Sequence, residues 1–143
     1  MIPRTVLIAP DAFEKLSAQR VAAAIGRGVR AGGWPIDLCP IVLERGFPVT
    51  VRALLDALHF DPRMRAARAV ILGEWRLKAR PAADSATFEI ATRARQAGVP
   101  VYAVTSENML DGFDARIFDV QAVLEASSAG ALQAAGRRLA GLL

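Results

Sequence analysis

Apolar residues come in short unbroken runs along this chain, and the runs alternate with stretches of helical spacing. Five runs stand out: Thr5 to Pro10, Ile36 to Val42, Ala69 to Gly73, Val99 to Thr105, and Arg116 to Val120. They are continuous rather than alternating, the pattern of parallel strands covered on both faces. Between the first two, Val21, Ile25 and Val29 fall four apart on one face of a helix. Ser17 is placed to cap that helix, and Gly32-Gly33 to end it. A second helix starts near Pro48 or Thr50 and turns Val51, Leu54, Leu55 and Leu58 inward. A third follows a loop at Arg80 to Ala83, with Asp84 or Ser85 as its cap, and closes at Gly98. The last starts at Ser127 or Ser128 and carries Leu132, Ala135, Leu139 and Leu142 as its apolar stripe. Ser106 to Asp114 is polar and holds only a turn or a short helix.

Strands alternating with helices predict a three-layer α/β/α sandwich around a doubly wound, five-stranded parallel sheet. Such a sheet is Rossmann-like, and five strands suit the flavodoxin-like order 2-1-3-4-5. Ligands of these sheets lie at the carboxyl ends of the strands, where the order reverses. Here that crevice is bordered by Asp11 to Leu16 and by Glu74 to Arg80. With 143 residues, no internal repeat and no long linker, the chain reads as one domain, residues 1–143.

Composition changes the picture little. Hydrophobic residues make up 53%, enough for a core. The net charge is +4, and Lys15 and Lys78 are the only lysines among 18 basic residues, so the other 16 are Arg. That bias fits a GC-rich genome. The arginines are scattered rather than striped along one element, which argues against nucleic acid as a partner. Replacing arginines on helix faces, such as Arg93 and Arg137, is expected to leave anion binding unchanged. No run reaches the length of a membrane span, and Met1-Ile2-Pro3-Arg4 lacks a signal-peptide pattern. A cytoplasmic protein with no membrane contact is expected. Cys39, alone and on a strand, reads as core. His59, ending a helix, reads as meeting the last carbonyls. A Walker loop and Gly-x-Gly-x-x-Gly are both missing. A response-regulator receiver needs an Asp ending the third strand and a Lys ending the fifth, where this chain has Gly73-Glu74 and Asp119 to Gln121.

The most informative segment is Ile8-Ala9-Pro10-Asp11-Ala12-Phe13-Glu14-Lys15-Leu16-Ser17-Ala18. It resembles the opening of the class I glycerate kinases, where a strand runs into Pro-Asp-Ser-Phe-Lys and then Leu-Ser-Ala. The resemblance resumes at Gly73-Glu74-Trp75-Arg76-Leu77-Lys78, where the family has Gly-Glu-Gly-Arg-Leu-Asp, and it continues to Gly98-Val99-Pro100-Val101. It covers two blocks, Thr5 to Leu58 and Arg68 onward. In the family a second domain lies between these blocks and the substrates bind in the cleft. Here that domain is missing, between about residues 59 and 68, with Phe60 to Ala67 as the join.

Several positions depart from the family. Glu14 replaces its Lys and leaves Lys15 as a shifted substitute. Arg45-Gly46-Phe47-Pro48-Val49 stands where the family has Asp-Gly-Gly-Glu-Gly. Trp75 replaces Gly, Lys78 replaces Asp, Arg80 replaces Gln, and Asp84-Ser85 replace Gly-Lys. Asp11 and Glu74 are the residual catalytic candidates, and no metal site is expected. Phosphoryl transfer needs Mg²⁺ on oxygen ligands and a cradle for the phosphates. Losing the glycines removes close backbone approach to those phosphates. Lys15, Ser17, Arg45, Arg76, Lys78 and Arg80 instead outline a basic mouth. The expected function is a non-catalytic domain that binds a small anion or a partner protein and needs no cofactor. The alternative is a minimal kinase using ATP and Mg²⁺ on glycerate or a similar hydroxy acid. It would act as an oligomer, or as half of a split enzyme whose other half is a separate protein. Self-association is expected through apolar loop residues facing the lost domain: Phe13, Phe47 and Trp75.

Overall fold

The computed structural model describes residues 4–42, 50–78 and 86–143. Its elements are β1 (Thr5–Pro10), α1 (Ala18–Ala31), β2 (Ile36–Leu38), α2 (Val51–Ala57), α3 (Phe60–Arg65) and β3 (Ala67–Leu77), followed by α4 (Ala86–Ala97), β4 (Val101–Asn108), α5 (Gly112–Phe118), β5 (Val120–Glu125) and α6 (Ala129–Ala140). The strands form one parallel sheet in the order β2-β1-β3-β4-β5. The three-layer, doubly wound arrangement follows from the run pattern.

Successive strand residues point to opposite faces, so β1 feeds two cores. Leu7 joins Val70 and Leu72 against Leu55, Phe60, Ile90 and Phe118, which puts α2 to α5 on one side. Val6 and Ile8 join Ile71 against Val21, Ile25, Leu132 and Leu139, which puts α1 and α6 on the other. Ser17, Thr50 and Ser128 cap α1, α2 and α6 by accepting from the N–H groups of Arg20, Ala53 and Ala131. Each satisfies one of the donors a helix start leaves free. Among the described residues, no helix is long and apolar enough to cross a membrane.

The structure corrects the reading in five places. Arg116 to Phe118 ends α5 instead of beginning a strand, Asp119 takes a left-handed φ of 54°, and β5 starts only at Val120. β3 runs four residues past Gly73, with Glu74 opposite Thr105 and Arg76 opposite Glu107. β2 stops at Leu38, although Cys39 and Ile41 still donate N–H groups to Ile8 and Pro10 (2.8 and 2.9 Å). The Pro40 between them has no N–H to give. Phe60 to Ala67 forms α3 and the start of β3 rather than a plain join. Leu142 lies beyond α6 and is 56% exposed, so it does not extend the apolar stripe. Cys39 is buried in the core, as expected, and burial raises its thiol pKa. His59 is exposed, with φ of 53°, and makes no capping bond to the helix it precedes.

Two side-chain nodes join the α2–α5 layer. Arg63 bonds both carboxylate oxygens of Asp37 (2.9 and 2.7 Å), and Asp37's hydrogen bond holds the guanidinium pKa up. Arg93 bonds Glu89 on its own helix (3.0 Å), Asp56 of α2 (3.2 Å) and Asp61 of α3 (3.1 Å), with only 13% of its side chain exposed. It is largely buried rather than a surface arginine. On the opposite layer, α1 and α6 touch backbone to backbone. A Cβ on Gly28 would sit 1.9 Å from the Gln133 carbonyl oxygen, and one on Gly136 would sit 2.3 Å from that of Ile25.

Candidate functional site

The site begins where β1 ends. Asp11 donates its N–H to the Gly73 carbonyl (2.9 Å), and a Cβ on Gly73 would lie 2.7 Å from Pro10 Cβ. Only glycine lets the two strands meet so closely. The chain then folds into a tight turn. Phe13 and Leu16 exchange N–H···O bonds (2.9 and 3.2 Å), so Glu14 and Lys15 stand at its exposed tip. Ser17 follows, and its hydroxyl is already engaged as the α1 cap. Phe13 is buried, 4% exposed, and meets the Trp75 ring edge to face at 5.6 Å. It therefore offers no exposed apolar surface for association. Phe47 lies outside the described residues.

Asp11 and Glu74 come together at the switch point. Burial raises the Asp11 carboxyl pKa, opposed by the Ala12 N–H that it accepts (2.6 Å). Burial raises Glu74 as well, the hydroxyl of Thr87 opposes by donating to it, and the nearby Asp11 adds to the rise. Both groups thus favour the protonated form more than free carboxyls do. Thr87, buried in the first turn of α4, was not singled out from the sequence. It lies two positions past Ser85, the later of the two expected caps, and nothing near it in the sequence points to Glu74.

β3 continues past this pair as an extension held to β4. The hydroxyls of Thr105 (3.2 Å) and Ser106 both donate to the Trp75 carbonyl. Arg76 lies on it and Lys78 just past its end, and both are exposed. Arg76 faces Glu107 at 3.8 Å, each side chain 57% exposed, a surface pair of little net strength. Among the described residues, no hydrogen bond links Lys15 to Arg76 or Lys78. Arg45 and Arg80 lie outside the described residues.

The donors do not fit the metal that the resemblance implies. Among the described residues, no group of three or more His, Cys, Asp or Glu side chains is arranged to hold an ion. Mg²⁺ takes oxygen donors in strict octahedral geometry. Asp11 and Glu74 are shifted toward their neutral forms, and one Glu74 oxygen is already bonded to Thr87.

No family model matches the chain, and no curated protein is similar enough to count as a match. Among solved structures, it is similar to the diflavin flavoprotein A3 of Nostoc sp. at a TM-score of 0.55 and 13% identity, over 99% of this chain and 94% of that one. It is similar to a flavodoxin from the domain Archaea at a TM-score of 0.52 and 8% identity, over 96% and 99%. A protein assigned as glycerate kinase 2 of Salmonella typhimurium LT2 aligns at a TM-score of 0.49 and 18% identity, over 75% of this chain. This chain spans only 27% of that kinase's length. At such identities the likeness is one of fold, the Rossmann- or flavodoxin-like sheet.

Proposed function

We propose that this is a non-catalytic Rossmann-like domain that binds a small anion at the carboxyl edge of β1 and β3. One observation carries the reading. Arg76 and Lys78 stand exposed at the carboxyl edge of β3, just past the partly buried Asp11 and Glu74, whose carboxyl pKa values burial raises. A phosphate or carboxylate reaching that edge meets two exposed basic side chains as donors. The glycerate-kinase-like motifs support the same place, since Asp11, Glu74 and Arg76 match that family's positions.

Thermal shift at low salt tests it, with phosphate, sulfate and phosphoglycerate as ligands, each with and without Mg²⁺. Wild type should be stabilised by at least one of them without Mg²⁺. Replacing Arg76 and Lys78 together by Ala should weaken binding at least about tenfold, since about 1.4 kcal/mol is one decade. Arg137→Ala should leave it unchanged. Failure of all three anions to bind wild type removes the reading. Glycerate-dependent ATP turnover abolished by Asp11→Asn would assign the minimal kinase instead.

Self-association belongs to the same proposal, but at another surface. Phe113 on α5 is 67% exposed and Ile117, one turn on, is 52% exposed. Phe88 of α4 also stands partly free beside them. Exposed apolar residues grouped in this way favour association.

A further inference from the structure

Five arginines that look scattered in the sequence share one face of the fold. Arg20, Arg27 and Arg30 are on α1, and Arg137 and Arg138 are on α6; all five are exposed. Neither helix contains an Asp or a Glu. Among the described residues, no ion pair reaches any of the five. On the opposite layer Arg52, Arg63 and Arg93 are held by carboxylates, and Arg95 and Arg116 bond main-chain carbonyls of α5.

The glycine contacts that fuse α1 and α6 also bring the two sets of arginines together. Arg27 reaches across to Gln133 (3.4 Å). Arg20 and Arg27 are two turns apart, about 10 Å along α1. Between the arginines, the exposed positions are small or neutral: Gln19, Ala31, Gly130, Ala131, Gln133 and Ala134. The result is an even, acid-free cationic face built from two helices.

We infer that this face docks nucleic acid through its phosphate backbone, without reading sequence. Guanidinium forks match phosphate oxygens in geometry and stay charged at any working pH. Several of them on one face attract a polyanion and release its counterions. Neither helix carries an aromatic ring on which bases could stack. It also lacks the apolar wedge that lets a surface helix enter a bilayer. Phosphate contact is what remains.

Fluorescence anisotropy with labelled single- and double-stranded DNA of about 20 nucleotides, at about 50 mM salt, tests the inference. Wild type should bind, and affinity should fall steeply as salt rises. The triple variant Arg27→Gln, Arg30→Gln, Arg137→Gln should bind at least about tenfold more weakly and lower the salt slope by about 2. A triple variant of equal charge change on the opposite layer, Arg52→Gln, Arg65→Gln, Arg116→Gln, should lose less than about threefold. Circular dichroism confirms that each is folded, and the single variants Arg30→Gln and Arg137→Gln serve if a triple is not. The inference fails if wild type does not bind, or if both triples, or the singles and their opposite-layer counterparts, lose equally. It also fails if phosphatidylserine vesicles bind and DNA does not. Arg76→Ala with Lys78→Ala should keep this binding within about threefold while weakening small-anion binding at least about tenfold, so the two sites are told apart.

Discussion

Arg93 shows how much a single side chain depends on elements far from it in the chain. From the sequence it is one arginine on a helix face; in the fold it closes three carboxylates from α2, α3 and α4 around one guanidinium. Removing it leaves those acids facing one another. Arg93→Ala should therefore cost about 2 kcal/mol of stability, read as a lowered urea midpoint, and Arg93→Lys should recover only part of it. Glu74 behaves in the opposite sense. Its folded-state pKa is raised, so its favourable contribution is complete below the unfolded value and is lost as pH rises through the folded one. Glu74→Gln keeps an acceptor for Thr87 and removes the charge. Its melting temperature relative to wild type should rise at about pH 7, and the gain should shrink toward about pH 4. A gain that grew on acidification would contradict the desolvation account.

At the scale of elements, the sequence was most legible where local signals agree. Ser17, the four-residue spacing from Val21 to Val29 and Gly32-Gly33 all mark α1, and its bounds follow. The strand was misplaced at Arg116 to Phe118 because adjacent Ile117 and Phe118 suit a strand and a helix equally. β3 was cut short because Glu74 and Arg76 look like loop residues; they are strand residues, lying beyond the end of β1 with β4 as their support. At the site, Asp11, Glu74 and the exposed cations were readable through the family-like motifs, but burial and the Thr87 bond were not. The contact of α1 with α6 was invisible, since it needs residues over a hundred positions apart. It yields a sharp test. Gly28→Ala should cost about 2 kcal/mol or more, because the new Cβ meets backbone that can move only by parting the helices. Gly130→Ala, with nothing within 4 Å, should be neutral or gain up to about 1 kcal/mol. Urea melts of both variants decide it.

For the whole molecule, charge and apolar exposure are segregated. Among the described residues, no ion pair reaches the arginines of the α1/α6 layer, while the α2–α5 layer pairs Arg52, Arg63 and Arg93 with carboxylates and exposes Phe113 and Ile117. Sedimentation at tens of micromolar should show a small oligomer, and Phe113→Asp should shift it to monomer. A wild-type monomer under those conditions would count against association on this layer.

The clasp between α1 and α6 also orders events in time. α1 leaves the ribosome early, with Val21, Ile25 and Val29 needing cover from Leu132 and Leu139 near the other end of the chain. At about 5–20 residues per second, synthesis delays that cover by several seconds or more. Over that interval an apolar face on α1 is open, and the earlier strands wait for their second layer. Until α6 has emerged, the nascent chain presents an apolar face of α1 to any chaperone nearby.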